Sequence, residues 1–403
     1  MINNDSDEKT TTQHDHLVLY NFNEHIVKLS ELYCACQKGD VNRSRELLST
    51  IPYHKRIWKL EPNGDTALHA AVRAGHASIV TLLFTHGFSR ISINKENKTA
   101  YEIASNNDIR SLFHRSIDES QSRFIDQNIN QTLKILDLNY NTHDQVVYDN
   151  INDAIESRYM AVFNRMPRFL KNIVRTMTEA KSLQIFKMIV AKVQNTYITG
   201  TDDQILLKNT FDDFVRTKDI NHLIHLYTLN DLYKAIREHA NAYTTLVCLN
   251  LSLLSERKYQ GICYRGVGMT IHDVSRFYYA MKTSSSVIET RNLSSTSKNK
   301  IVSSIYSGFG ASRLDNLYSV LLVFEFSKPC STAIDLTRVS DRLPTISQFE
   351  HEEEVLILPY TLFKVTRVTE ETDIEPFSIY LQNGTVPKQS LINFFRMKPE
   401  DIK

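Results

Sequence analysis

The sequence predicts a multidomain chain of the α + (α+β) class: an N-terminal stack of paired-helix repeats, then a helical lobe leading into a mostly antiparallel β-sandwich core. Three observations carry that expectation. The segment "GDTALHAAVRAGHASIVTLLFTHG" (64–87) is flanked by two weaker copies of itself. Between about 151 and 245, apolar residues recur at helical spacing. After Tyr259 the chain changes to short β-rich runs separated by turns.

Length and composition set the bounds. At 403 residues the chain exceeds one ordinary core, so two or three domains are expected. Apolar residues make up 42% and charged residues 23%, the balance of a globular protein. Lys+Arg of 47 against Asp+Glu of 46 leaves a formal charge of +1, without the basic excess that nucleic-acid binding uses. The opening "MINNDSDEKTTTQHDH" lacks the basic and apolar segments of a secretory signal, and no apolar run reaches the length of about 18 residues that spans a membrane. An intracellular, cytoplasmic protein with neither a nucleic-acid nor a membrane partner is expected. The five cysteines (Cys34, Cys36, Cys248, Cys263, Cys330) are odd in number and scattered, which fits reduced thiols better than a disulfide framework.

The elements follow in order. Residues 1–28 are polar and Thr/Asp/Asn-rich, and a disordered tail is expected there. In the 64–87 unit, Ala67, Leu68, Ala70, Ala71 and Val72 make a narrow first helix. Gly75 closes the turn, and Ile79, Val80, Leu82 and Leu83 give the second helix its apolar face. The "TALHAA" core and the helix–turn–helix pattern are the signature of an ankyrin repeat. "ELYCACQKGDVNRSRELLSTI" aligns Leu32 with Leu68, Ala35 with Ala71, Gly39 with Gly75 and Leu47 with Leu83. "KTAYEIASNNDIRSLFHR" aligns Thr99 with Thr66 and Ala104 with Ala71, and its polar second helix suits a capping repeat. The repeats are therefore assigned to 29–115. Cys34 and Cys36 fall inside a first helix with no second ligand pair, so they read as small packing residues and not as a metal site.

Residues 116–150 lack strong periodicity and read as a linker, with room for one strand. The segments "DAIESRYMAVFNRM", "PRFLKNIVRTMTEAKSLQIFKMIVAKVQ" and "FDDFVRTKDINHLIHLYTLNDLYKAIREHANAYTTLVCLNLSLLSE" are helical. His222 and His225, three apart on one of them, have no third metal ligand in sight and read as packing or surface residues. The β-rich domain runs to about 385, and 386–403 is expected to be a tail.

Within the β region three short pieces follow one another. "YRGV" (264–267) puts Arg265 at an expected strand end, "SSTS" (294–297) opens another strand, and "FEHEEEVLILP" (349–359) runs three glutamates into an apolar strand. Like charges side by side repel, and Glu is a poor strand former, so acid at the mouth of a buried strand asks for a reason. Arg, then Ser-Thr-Ser, then Glu-x-Glu resembles the R-S-E class of mono-ADP-ribosyltransferases, the cholera-toxin-like branch that contains the arginine-specific enzymes. The likeness extends to "LYTLNDLYKAIREH" (226–239), similar to the helix before that family's catalytic core, and covers about 155–385.

The chemistry can be argued from the residues. Cleaving the nicotinamide–ribose bond of NAD passes through an oxocarbenium-like cation, which needs a carboxylate against the developing charge. Glu354 at a strand entrance suits that task, and alternation along a strand would put Glu352 on the same face with Glu353 turned away. The resemblance implies the other roles. Arg265 would hold the NAD phosphates or ribose through its guanidinium fork. Gly266 would let the backbone approach the nicotinamide amide. Ser295 would orient the glutamate and the ribose, and Tyr306 would pack on nicotinamide. Glu352 in a Glu-x-Glu motif implies an arginine acceptor, which it would dock and deprotonate. Phe349, on the preceding turn, would pack on the acceptor protein.

The expected function is an NAD-dependent protein-arginine mono-ADP-ribosyltransferase. NAD is the co-substrate, no metal is implied, and the ankyrin repeats recruit the acceptor protein. Two alternatives stay open on the same sequence: an NAD glycohydrolase in which water replaces arginine, and an ankyrin adaptor whose transferase domain is inactive.

Overall fold

The computed structural model describes residues 17–22, 25–51, 61–115, 129–137, 168–196, 202–229, 240–283, 286–306, 317–359, 361–372 and 375–384, with Leu232, Ala235 and Ile236. The helix expected in "DAIESRYMAVFNRM" and the tail at 386–403 lie outside those residues. Two compact units divide the chain, Met1–Leu112 and Phe113–Lys403.

The first unit opens on an antiparallel hairpin, β1 (Leu17–Phe22) and β2 (His25–Ser30), with Leu17 opposite Ser30. This corrects the disordered tail expected for 1–28 over the part that is described. Three helix pairs follow: α1 (Glu31–Lys38) with α2 (Val41–Thr50), α3 (Ala67–Arg73) with α4 (Ala77–Thr85), and α5 (Ala100–Ile103) with α6 (Asn107–Ser111). Gly39 ends α1 at φ 79°, a left-handed conformation that costs a residue with a Cβ about 1 kcal/mol or more. A Cβ there would also meet the His76 ring at 2.7 Å. The repeats are stitched through histidines. Thr66 Oγ1 lies 2.7 Å from His69 Nδ1 in a capping box, and His69 Nε2 reaches the Lys98 carbonyl of the next repeat at 2.9 Å. Burial lowers the His69 pKa, which keeps the ring neutral for this two-sided role. Leu32, Cys36, Leu47, Leu68, Ala71, Ile79, Val80, Leu83, Ala100 and Ile109 are all buried between the helices. Cys34 and Cys36 are among the packing residues; burial pushes the Cys36 thiol up to about 12.

The second unit is a sheet with helical layers. After a short helical turn, α7 (Ile129–Thr132), comes β3 (Leu133–Asp137), which pairs antiparallel with β5 (Ser286–Thr290) at one edge of the sheet. That strand lies in the stretch read as a linker with room for one strand, so part of 116–150 is sheet. The helical lobe is α8 (Arg168–Thr196), α9 (Asp202–Thr217), α10 (Ile220–Thr228) and α11 (Ala240–Leu249), closed by a 3-10 turn at Leu251–Arg257. The segment 226–239, read as one helix, is not one: α10 stops at Thr228, and Leu229 caps it in an extended conformation.

Beyond the lobe run β4 (Lys258–Met269), α12 (Ile271–Lys282), β5, β6 (Ser294–Ser297), α13 (Lys300–Tyr306), β7 (Tyr318–Asp335), β8 (Glu354–Ile357), β9 (Leu362–Thr369) and β10 (Phe377–Asn383). The strand order is β3-β5-β9-β10-β7-β4-β6-β8, and β8 pairs back to β7. In place of the expected sandwich of two sheets, the described residues of this domain form one eight-stranded sheet, whose far end curls so that β7, β4, β6 and β8 form a closed ring. Only β7 with β10 is parallel; every other pairing described is antiparallel. The length of β7 makes the curl possible: Val320–Glu325 pairs with β10, and Ala333–Asp335 pairs with β8.

Two cores cover the two faces. Leu356 and Leu358 join the lobe residues Phe186, Leu223, Tyr227 and Tyr243, whereas Val355 and Ile357 join Cys263, Val267, Phe324 and Phe277 of α12. The period of two along β8 thus assigns each face to its own core. Each fully buried Leu, Val or Phe contributes about 1.5–3 kcal/mol. His225 lies at the base of the lobe, 5% exposed, with Nδ1 at 2.9 Å from the Ile346 carbonyl. It is a packing histidine.

Burial lowers the His225 pKa from 6.5 to about 4. Between those values the unfolded chain binds a proton that the native state excludes, so stability falls as pH drops through that window, by about 3 kcal/mol. His225→Asn keeps a donor near the Ile346 carbonyl and removes the titration. Urea unfolding of both proteins at neutral pH and near the lower limit is expected to show a steeper loss for the wild type. Equal losses would mean that the imidazole titrates alike in both states.

Candidate active site

The three quoted motifs come from three hydrogen-bonded strands. β6 runs antiparallel to β8 with Ser295 opposite Leu356 and Ser297 opposite Glu354. On the other side of β6, Ser297 pairs with Tyr264 of β4. Directly opposed residues share a face, so Ser295, Ser297 and Glu354 lie on the face that carries Leu356, the face covered by the helical lobe. All three are fully buried.

Two side chains from outside the motifs reach that face. Tyr227, in the last turn of α10, holds its hydroxyl 2.9 Å from Ser295 Oγ. Ser347 donates from Oγ to Glu354 Oε2 at 3.4 Å. Neither is among the site residues expected from sequence. Tyr227 stands inside the quoted 226–239 segment, but its helical spacing marks it only as a core position.

Arg265 is not at a strand end; it is the eighth residue of the twelve in β4. Cys263 and Val267 on either side of it belong to the second core, and alternation aligns Arg265 with them. The guanidinium is 1% exposed and donates Nη1 to the Ser295 carbonyl at 2.6 Å. Arg265 therefore braces the backbone that carries Ser295. Gly266 follows it within β4, buried and opposite Leu321. Tyr306 is the last residue of α13.

The acidic run differs from a simple strand entrance. Glu350–Glu352 forms a 3-10 turn, Glu353 is left-handed at φ 45°, and the strand starts only at Glu354. Glu352 and Glu354 are both 0% exposed and Glu353 is exposed, but strand alternation is not the cause. A non-glycine residue in the left-handed region stores about 1–3 kcal/mol and persists only where its surroundings demand it. Here Glu353 donates its N–H to the Glu350 carbonyl and accepts at its own carbonyl from the Lys298 N–H at 3.0 Å. That reversal turns both neighbouring carboxylates inward.

Glu352 is held by an arginine that none of the motifs contains. Arg115 donates Nε to Glu352 Oε1 at 2.8 Å and Nη2 to Oε2 at 3.3 Å, and both side chains are fully buried. Arg115 Nη2 also donates to the Thr228 carbonyl at 3.2 Å, and the guanidinium lies 3.8 Å from the centre of the Phe349 ring. Phe349, expected at the surface against an acceptor protein, is 4% exposed. It forms the stacking wall of this pair.

Residues 18–120 match the ankyrin repeats family in three copies, which defines the class of the N-terminal unit. Among particular curated proteins, the chain is 34% identical over 76 residues to the NAD-capped RNA hydrolase NUDT12 of Homo sapiens, covering 19% of this chain and 16% of that protein. It is 36% identical over 81 residues to ankyrin repeat and SOCS box protein 11 of Danio rerio, covering 20% and 26%. The chain thus spans about a sixth to a quarter of the length of these relatives. Two solved structures are also similar. The type III effector XopAI from Xanthomonas axonopodis pv. citri aligns at a TM-score of 0.35 and 17% identity, over 62% of this chain and 94% of that one. The ADP-ribosyltransferase HopU1 of Pseudomonas syringae pv. Tomato DC3000 aligns at 0.27 and 15%, over 36% and 55%. At such scores the reading of the site rests on its own residues. Among the described residues, no helix is long and apolar enough to cross a membrane.

Proposed function

We propose that this chain is an NAD-dependent mono-ADP-ribosyltransferase that transfers ADP-ribose to arginine side chains, and that the ankyrin unit recruits the acceptor. One observation carries the reading: a buried carboxylate, Glu354, lies on the same sheet face as the Ser295 hydroxyl of the neighbouring, hydrogen-bonded strand. A carboxylate withdrawn from water interacts with a developing cation far more strongly than an exposed one. A structural role would be served as well by an apolar residue at this strand entrance, without the desolvation cost.

In this mechanism, NAD binds with its nicotinamide-bearing ribose carbon against Glu354. As the C1′–nitrogen bond breaks, the electron pair leaves with nicotinamide, and the Glu354 carboxylate stabilises the oxocarbenium left on the ribose. A guanidinium nitrogen of the acceptor forms the new C1′–N bond, and Glu352 receives the proton it sheds. Ser295, held by the Tyr227 hydroxyl on one side and by Arg265 through its carbonyl on the other, positions the ribose and Glu354. Ser347 keeps Glu354 Oε2 hydrogen-bonded until the cation develops. Arg265 acts from the other face of the sheet, as the buried brace of the Ser295 backbone, and Gly266 beside it adds no side-chain bulk to the face that carries Ser295 and Glu354. Roles for Tyr306 on nicotinamide and Gly266 on its amide remain part of the proposal.

The test is incubation of the full chain with NAD labelled in the adenylate moiety, with agmatine as a small arginine mimic. Label on agmatine supports the proposal. Free ADP-ribose alone supports a glycohydrolase, and intact NAD at every enzyme concentration supports an inactive adaptor.

A milder prediction concerns Tyr227→Phe. It removes a single hydroxyl that orients Ser295, worth about 1 kcal/mol, while leaving the ring in the lobe core. The expected result is a several-fold fall in kcat with little change in KM for NAD and a small shift in Tm. An unchanged kcat would remove Tyr227 from the positioning of Ser295.

A further inference from the structure

Four contacts hold the dipeptide His114-Arg115 against the turn that carries Glu352 and the end of α10. Arg115 forks onto the Glu352 carboxylate with Nε and Nη2. Its Nη2 also takes the Thr228 carbonyl at the C-terminus of α10, where the helix presents its last carbonyls and negative potential. The guanidinium plane covers Phe349 at 3.8 Å. His114 stacks on His351 with ring centroids 4.0 Å apart. Thr228 is itself fixed, because its hydroxyl accepts from the Gln348 N–H at 3.1 Å and donates to the His225 carbonyl.

These groups make a box for one planar cation. A carboxylate in bidentate geometry, a carbonyl and an aromatic face select guanidinium over ammonium, which cannot fork and stack at once. The fork and the Thr228 contact use Nε and Nη2. Arg115 Nη1 is buried and has no hydrogen-bond partner among the described residues. A purely structural ion pair gains from satisfying every buried donor, so an orphaned terminal nitrogen calls for another explanation. A guanidinium gripped by two nitrogens with the third left over is the pose in which an acceptor arginine would present its nucleophile.

We propose that Glu352, the Thr228 carbonyl and Phe349 form the acceptor-guanidinium subsite of this protein, and that Arg115 is its built-in occupant, competing with arginine from outside. This inference rests on the arginine-transferase reading above and adds to it the composition of the acceptor site and the segment that fills it. Arg115 lies 237 positions before Glu352 in the chain, so the occupant is not part of the catalytic strands. An internal occupant lowers the apparent affinity for an outside acceptor by the fraction of time the site stands open.

The experiment compares full-length wild type with Arg115→Ala and Arg115→Lys. Agmatine transfer is measured against agmatine concentration at saturating NAD. Nicotinamide release is measured without acceptor, and Tm with and without agmatine in the absence of NAD. The expected result for Arg115→Ala is a fall of about tenfold or more in KM for agmatine, as for a site filled at least nine-tenths of the time. Agmatine is also expected to raise the Tm of Arg115→Ala by refilling the box, while the wild type shows no rise. Butylamine, an ammonium of similar length, should not substitute for it. Arg115→Lys keeps a charge opposite Glu352 and serves as the folded comparison if the alanine variant is too unstable to isolate; its KM is expected between the other two. Agmatine KM values that match across the folded variants, with no Tm response, overturn the inference and leave Arg115–Glu352 as a structural pair. A Tm rise with agmatine but no NAD cleavage in any variant keeps the subsite and overturns the transferase reading instead.

Discussion

Glu354→Gln is expected to lower NAD cleavage and transfer to arginine together, by more than about 100-fold. The substitution keeps the volume and one hydrogen-bond acceptor for Ser347 but deletes the negative charge, in a position that is 0% exposed. Charge stabilisation of this kind is worth about 3 kcal/mol or more in a dry site. NAD binding should survive, because Gln keeps the size and polarity of the side chain and the Arg265 brace on the Ser295 carbonyl does not involve Glu354. Nicotinamide release and NAD binding by calorimetry, on one preparation, separate the two effects. A variant that turns over near the wild-type rate places the catalytic carboxylate elsewhere.

Glu352→Gln is expected to split the two activities and to weaken the fold. Glu352 does not stabilise the cation in the proposed mechanism, so slow release of nicotinamide to water should persist. Transfer to agmatine should fall by about 100-fold, the usual scale for losing a general base. Near-isosteric replacement would leave stability unchanged at an exposed position, but here it strips a buried arginine of its counter-charge. Breaking one side of a buried pair typically costs about 3–5 kcal/mol. Urea unfolding should register that loss, and the double variant with Arg115→Met should recover much of it. Equal losses of cleavage and transfer in Glu352→Gln would place Glu352 in the cleavage step and remove the case for arginine as acceptor. Unchanged stability would mean that Arg115 finds another counter-charge.

Much of the architecture is legible in the amino-acid order alone. The paired helices of the N-terminal unit follow from a local period: Leu32 repeats as Leu68 and Gly39 as Gly75, and both glycines turn the chain at positive φ. The short β-rich runs are readable from composition and turn spacing. The order of the motifs does not show that their strands adjoin; the pairing of β6 with β8 puts Ser295 opposite Leu356 and Ser297 opposite Glu354. The hairpin β1–β2 escapes such a reading, and β3 is foreseen only as room for one strand in a linker, since isolated short runs in polar stretches carry little periodic signal. The single curled sheet also escapes it, because one 18-residue strand, β7, pairs with different partners at its two ends.

Local order settles the strongly periodic elements and the residue types available for chemistry, because helix and strand periods and turn chemistry act over a few residues. Tertiary structure alone decided which of those residues meet. Tyr227 contacts Ser295 across 68 positions, and Arg115 contacts Glu352 across 237. Neither pairing leaves a periodic trace, since each joins two elements whose own patterns are satisfied without it. Strand alternation predicts the inward turn of both Glu352 and Glu354, yet it is produced by one left-handed residue, Glu353, held between a 3-10 turn and the Lys298 N–H. Backbone strain of that kind persists only once the surrounding sheet exists to enforce it.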